Sequence, residues 1–250
     1  MPELSVVIIT FNEEKNIGRC LESVRDVADD IIVVDSFSTD ATESICKKYG
    51  VNFIQRKWEG YSGTKNYANS QAKYDWILSM DADEALSEEL KNSILEIRKQ
   101  DKQKVFKFNR LTNYCGKFIK HCGWYPDTKV RIFDRRTTRW EGTIHEKLVV
   151  NEGTPQQLKG DCLHYSYYTI EEHYRQSDKF STLSAESLYA KGKSASLLKL
   201  WFSPIIKFIS TYFFKLGILD GNAGYTVCKI MASATFSKYA KLRKLNSQKS

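Results

Sequence analysis

Asp81-Ala82-Asp83-Glu84 sets three carboxylates within four residues, directly after the apolar run Trp76-Ile77-Leu78-Ser79-Met80. Like charges that close repel one another, and packing alone gives no reason to crowd them. A divalent cation does give one. Carboxylate oxygens suit Mg²⁺ or Mn²⁺, and such ions usually share their coordination shell with substrate phosphates. The chemistry this tip supports is therefore phosphate chemistry, with the ion balancing charge on a departing diphosphate. A solvated acidic turn capping the next helix would have the same short sequence, so the surrounding elements must decide.

Trp76 to Met80 is an unbroken apolar run of strand length, the pattern of a strand buried on both faces of a parallel sheet. Leu4 to Ile9, Ile31 to Val34 and the shorter Val51 to Ile54 read the same way. Helical spacing separates them. Ile17, Leu21, Val24 and Ala28 recur after the first strand, with Asn12 as the expected cap and Glu13 and Glu14 near the positive end. Asp40 with Glu43 makes a capping box for a helix through about Tyr49. A loop with Gly60 and Gly63 leads into a helix carrying Lys65 and Asn66, and Ser87 caps another with Leu90, Ile94 and Ile97 on one face.

This alternation implies a parallel, Rossmann-like sheet, whose ligands bind at the carboxyl ends of the strands. Thr10 to Glu14, Asp35 to Asp40 and Asp81 to Glu84 all fall at such ends. Three polar clusters converge on one rim.

After Lys102 the pattern changes. Val105 to Leu111, Lys129 to Phe133 and Lys147 to Val150 alternate like half-exposed strands, separated by loops rich in aromatics. They read as an antiparallel extension forming the second wall of a cleft, with helix resuming at about Thr169. From Leu197 to Leu216 the chain is very apolar yet holds Lys199, Lys207 and Lys215, which share one arc of a helical wheel with Ser203, Ser210 and Thr211. Aromatic and aliphatic residues fill the opposite arc. Such a helix suits a membrane interface, helped by the basic tail Lys238, Lys241, Arg243 and Lys244. The alternative is a helix docked on its own domain with a solvated basic face. The expected division is 1–168 for the α/β domain, with a nucleotide-binding half to about 100 and an acceptor half from about 101, then 169–250 as a helical, membrane-associating region.

At 250 residues and 42% hydrophobic content the chain suits one α/β domain with a helical appendage. Six cysteines without disulfide-like spacing, and a start without a secretory signal, lead to the expectation of a reducing cytoplasm. The net charge of +8 implies an anionic partner. No Gly-x-Gly-x-x-Gly follows the first strand and no Gly-Lys-Ser/Thr loop exists, which disfavours nicotinamide enzymes and P-loop ATPases. A dehalogenase-type phosphatase would carry its Asp-x-Asp on the first strand.

Four motifs in order resemble the family 2 glycosyltransferases of GT-A fold: Val-Val-Ile-Ile-Thr-Phe-Asn-Glu-Glu (6–14), Val-Val-Asp-Ser-Phe-Ser-Thr-Asp-Ala-Thr (33–42), Thr-Lys-Asn-Tyr-Ala (64–68) and Asp-Trp-Ile-Leu-Ser-Met-Asp-Ala-Asp-Glu (75–84). They are most similar to the branch that includes lipopolysaccharide-core glucosyltransferases, a likeness supported by Trp140 to Glu146 and Leu163-His164-Tyr165. The fold so implied is a GT-A, mostly parallel α/β sheet with an antiparallel extension and C-terminal amphipathic helices.

The resemblance also implies roles. Asp35 would hold the base or ribose, with Thr10, Asn12 and Glu14 lining that pocket, and Lys65 would face the base or diphosphate. Asp81 would contact ribose or the metal shell, Asp83 would bind Mg²⁺ or Mn²⁺, and His164 would complete the shell, unless His164 is simply a half-buried strand histidine. Glu146 is the leading candidate for the base that takes the acceptor proton, with Asp127 and Glu141 as rivals. Trp124 would lie in a loop over the donor sugar, or in the core. Arg131 and Arg135 would meet acceptor phosphates, or be ordinary strand charges. Arg136 to Trp140 lacks the Gln of the processive-synthase signature, so one sugar per encounter is expected.

The expected function is inverting transfer of one hexose from a nucleotide sugar, UDP-linked, to a lipid-linked or lipopolysaccharide-core acceptor. The partners would be donor, acceptor and membrane surface, without nucleic acid, at the inner face of the cytoplasmic membrane. A sugar nucleotidyltransferase and a catalytically silent nucleotide-sugar-binding module are the alternatives.

Overall fold

The computed structural model describes residues 2–100, 105–142 and 147–248. They fall into two compact units: Met1–Arg110 with Asp127–Tyr165, and Leu111–Pro126 with Ser166–Ser250.

The first unit opens with β1 (Ser5–Thr10), α1 (Ile17–Val24), β2 (Asp30–Asp35), α2 (Thr42–Tyr49), β3 (Asn52–Gln55), α3 (Gly60–Ser70) and β4 (Trp76–Asp81). Every residue of β1 is buried, as expected for a strand covered on both faces. It pairs in parallel with β2 and β4, and β2 pairs in parallel with β3. Register sets Thr10 opposite Asp35 and Ile9 opposite Asp81, so three strands deliver their polar ends to one rim. Alternate side chains feed two cores. Val6, Ile8, Leu78 and Trp76 pack with Leu21 and Ile94, while Val7, Ile9, Ile32 and Ile77 pack with Phe133 and Trp140. Each such aliphatic side chain contributes about 1.5–3 kcal/mol by leaving water.

The chain continues through β5 (Glu84–Leu86), α4 (Glu88–Arg98), β6 (Phe106–Tyr114), β7 (Lys117–Phe118), β8 (Asp127–Asp134), β9 (Thr138–Glu141), β10 (Lys147–Val150) and β11 (Gln156–Tyr167). The main sheet runs β3-β2-β1-β4-β8-β6-β11-β5, and β9 with β10 makes a separate antiparallel ribbon. From β8 outward the pairings of β4 with β8, β8 with β6 and β11 with β5 are antiparallel, which is the expected extension.

Two helix starts differ from expectation. Helix α1 begins at Ile17, not beside Asn12, and neither α1 nor α2 has a side-chain cap. Asn12 has a left-handed backbone (φ 55°) and Asp40 turns to Thr42 and Glu14, so both residues stitch loops together. Ser87 does cap α4, accepting from the Leu90 N–H at 3.2 Å.

The second unit contains the hairpin at β7 and the helices α5 (Ile170–Ala190), α6 (Leu197–Ile209) and α7 (Gly221–Ser247). Thr169 and Glu172 form a capping box on α5. A π-helical turn (Ser210–Phe214) and a 3₁₀ turn (Gly217–Asp220) join α6 to α7. Asp220 fixes the hairpin to the start of α7, accepting from the His121 N–H at 2.8 Å, while the His121 ring lies 3.0 Å away. Trp124 joins Tyr114, Tyr167 and His173 in an aromatic cluster of this unit, which is the core alternative for that residue.

Candidate active site

The rim of the first unit is built from the loops that leave β1, β2 and β4. Residues after β1 and after β2 are laced together. The Asn12 N–H donates to Ser38 Oγ at 2.7 Å, and the Thr39 N–H donates to Asn12 Oδ1 at 2.8 Å. The Glu14 N–H donates to Asp40 at 3.0 Å, and Glu14 Oε2 accepts from the Ala41 N–H at 3.1 Å. Asn12 and Glu14 thus shape the wall by bonding to the neighbouring loop. Asp35 is buried at its base, its carboxylate accepting from the backbone and hydroxyl of Ser38. Thr10 is buried next to it in register, and its hydroxyl has no hydrogen-bond partner among the described residues.

The three crowded carboxylates have three separate environments. Asp81 lies between Lys65, whose Nζ is 3.0 Å from Oδ1, and Arg131, whose Nη2 is 2.9 Å from Oδ2. Burial alone would push the Asp81 carboxyl up, but these two cations outweigh it and hold it far below the usual carboxylate range. Glu84 is 1% exposed. It accepts from the Asp81 N–H at 3.0 Å and from Arg131 at 2.8 Å, with Arg110 at 3.6 Å. Asp83 meets an imidazole instead. Its Oδ2 is 3.0 Å from His164 Nε2, and its carbonyl accepts from the Tyr165 N–H at 2.9 Å, which ties β11 to the tip.

The expectation that one cation relieves all the crowding is corrected here. Lys65, Arg131 and Arg110 neutralise two of the three carboxylates. The expectation of acceptor phosphates at Arg131 and Arg135 fails for the same reason. Arg131 is 4% exposed and ion-paired. Arg135 bonds to Asp75 and to the carbonyls of Asn69 and Ala72, closing the end of α3.

Glu13 lies on the same rim, where the sequence offers it within the Thr10 to Glu14 cluster as a helix-end charge and gives it no role of its own. Burial, followed by Asp83 and Asp40, pushes its carboxyl up to about 6, against the pull of the Asn16 amide and His164. Its place beside Asn12 and Glu14 was the available signal.

Among the described residues no group of three or more His, Cys, Asp or Glu side chains is gathered as a metal cage. A carboxylate and an imidazole in contact nevertheless offer the oxygen and nitrogen donors that Mn²⁺ or Mg²⁺ accepts, and leave most of the shell to phosphate oxygens and water. The residues fit such an ion. Of the candidate bases, Glu146 lies outside the described residues. Asp127 is locked between Arg110 at 2.8 Å and Lys129 at 2.8 Å, pairings that overcome burial and hold its carboxyl low. Glu141 is exposed at the end of β9.

The model of the glycosyl transferase family 2 matches residues 5–146. An uncharacterized glycosyltransferase of Rickettsia typhi (strain ATCC VR-144 / Wilmington) is 34% identical, covering 98% of this chain and 88% of that protein. The lipopolysaccharide core biosynthesis glycosyltransferase LpsC of Rhizobium meliloti (strain 1021) is 28% identical over 95% of this chain and 93% of its own. Among solved structures, the mannosyltransferase PcManGT from Pyrobaculum calidifontis, in complex with GDP-Man and Mn²⁺, aligns with a TM-score of 0.53. It covers 96% of this chain and 87% of that one at 13% identity, a likeness of fold alone.

Proposed function

This chain belongs to glycosyl transferase family 2, and from that premise we propose that it moves a single hexose from a UDP-sugar to a membrane-linked glycan, with inversion at the anomeric carbon. The observation that carries the reading is the paired tip: Asp81 clamped by Lys65 and Arg131, with Asp83 beside it against His164.

Asp35, Thr10 and the loop walls set by Asn12 and Glu14 hold the nucleoside. Lys65, buried and paired with Asp81, keeps that carboxylate ionised and would act on the diphosphate only through the field of the tip. Asp83 and His164 would hold Mg²⁺ or Mn²⁺, and the ion would balance the charge of the leaving diphosphate. Glu146 takes the proton from the acceptor hydroxyl as that oxygen attacks the anomeric carbon in one displacement. That step exchanges the sugar–phosphate bond for a new glycosidic bond.

The relationship to LpsC supports a lipopolysaccharide or lipooligosaccharide core as acceptor. The GDP-Man and Mn²⁺ bound to the Pyrobaculum calidifontis mannosyltransferase support a nucleotide sugar used together with a divalent ion. In this reading the acceptor half spans about 101–168 and the membrane-associating region 169–250, with the enzyme at the cytoplasmic face of the membrane. Screening donor hydrolysis over a panel of nucleotide sugars, with and without Mn²⁺ or Mg²⁺, tests this. Metal-dependent release of UDP from one or two donors is expected. Hydrolysis of none, or rates unaffected by chelation, contradicts it.

A further inference from the structure

Helix α6 is seated with its apolar side outward. Its inner side carries Leu200, Lys207 and Phe208, and Thr211 is fully buried in the turn that follows. Phe208 and Tyr212 pack with Val227 and Cys228 of α7, Trp201 lies 5.4 Å from the Phe236 ring, and Lys199 sits 5.1 Å over Tyr239. Burial, then the neighbouring charges of Lys215 and Lys238, push the Lys207 ammonium down. Meanwhile Leu198, Trp201, Phe202, Ile206, Phe214 and Leu219 stand in the open, Leu198 at 70% and Phe214 at 81% exposure. The helix is docked on α7, as in the alternative, but its outer side is mostly apolar, with Lys199 and Lys215 among the apolar side chains and Lys207 half-buried. A face of this size and composition marks a contact with something apolar.

We propose that this face, from Leu197 through Leu219, enters the outer few ångströms of an anionic lipid monolayer with α6 lying in the membrane plane. The proposal rests on the membrane-linked acceptor above and names the surface that meets the lipid. Charge selects the occupant. Exposed Lys199 and Lys215 are interleaved with the apolar side chains, on a chain of net charge +8, and complement anionic headgroups. A two-fold pairing of this face with a second copy sets the lysines of both copies against each other.

By length and composition alone Leu197–Phe214 is able to cross a membrane. Its packing argues for the plane instead. Through Phe208, whose ring lies 5.9 Å from that of Tyr225, and through Tyr212, α6 is held to α7, whose Lys229, Lys238, Lys241, Arg243 and Lys244 are too costly to place in hydrocarbon. Pro204 within α6 and the π-helical turn after it interrupt a straight span.

The test is co-sedimentation of the full chain with vesicles of phosphatidylethanolamine and phosphatidylglycerol, compared with phosphatidylcholine alone. The protein should pellet with the anionic vesicles. Combined Leu198→Ser, Phe202→Ser and Ile206→Ser should lower partitioning at least about 100-fold, since each large side chain kept out of lipid costs roughly tenfold. Phe214→Glu alone should lower it about tenfold or more. These residues are exposed, so circular dichroism should be unchanged. Fluorescence attributable to Trp201, by difference from Trp201→Phe, should be quenched more by lipids brominated near the glycerol than near the chain end. Absence of pelleting overturns the proposal, as does a dimer in solution that the same substitutions disperse, or stronger quenching from the chain end. Donor hydrolysis by the same variants stays at the wild-type rate, so loss of vesicle binding is separable from failure of the glycosyltransferase reading.

Discussion

Arg131 reaches Asp81 and Glu84 with the same nitrogen, 2.9 Å from one carboxylate and 2.8 Å from the other. One buried guanidinium from β8 thus fixes both ends of the acidic tip that follows β4. Burial would lower the Arg131 pKa, but Glu84 and Asp81 outweigh it and keep the charge in place. The tip arrives pre-shaped, with Asp83 left to face His164.

Arg131→Met leaves Glu84 buried without its main counter-charge. The expected loss is about 3–5 kcal/mol of unfolding free energy, read by urea denaturation. The pair Arg131→Met with Glu84→Gln should lose clearly less than the single change, because no uncompensated charge remains. Equal losses in both would show that the pair does not act as a unit.

Glu146→Gln should lower turnover about 10²–10⁴-fold while UDP affinity by calorimetry stays within about twofold. Retained turnover moves the base elsewhere, and a parallel loss of UDP affinity makes Glu146 a binding residue.

Burial pushes His173 down to about 4 in the aromatic cluster with Tyr114, Trp124 and Tyr167. The unfolded chain binds this proton near pH 6.5 and the folded chain only near 4. Between those values the unfolded state holds more protons, so stability falls as pH falls, by about 3 kcal/mol in all. Denaturation midpoints from pH 7 to pH 4 should show this slope, and His173→Phe should flatten it. An unchanged slope in the variant assigns the effect to other groups.

Gly224 crosses Gly217 so closely that a Cβ at Gly224 would lie 2.0 Å from the Gly217 carbonyl oxygen. Gly224→Ala should therefore cost about 1–3 kcal/mol, seen as a lower Tm, because backbone cannot yield as a side chain does. A wild-type Tm would mean that the crossing relaxes freely.

The parallel half of the fold was legible because its strands are short apolar runs whose burial leaves few alternatives. Val6 to Ile9 and Ile77 to Met80 have no other place to go. Asn12 and Asp40 carry side chains suited to helix caps but bond across to the neighbouring loop, a choice made by tertiary contact that no local pattern encodes. Strand β11 shows in the sequence only through His164 as a possible strand histidine, because Gln156 to Tyr167 alternates imperfectly and is rich in polar residues. The sequence offers Arg131 as an acceptor-phosphate contact or a solvated strand charge and not as a buried clamp, since its partner Asp81 is fifty residues away and strand pairing is what brings them together. The aromatics of α6 were visible as an arc, but which way the arc faces is decided by α7.

The central claim is that Asp83 and His164 hold a divalent ion at a nucleotide diphosphate. Anomalous diffraction at the manganese edge, from crystals soaked with UDP and Mn²⁺, tests it most directly. A manganese peak about 2 Å from an Asp83 oxygen and a His164 nitrogen is expected. UDP bound with no manganese at Asp83, or with the ion held by other residues, would contradict it.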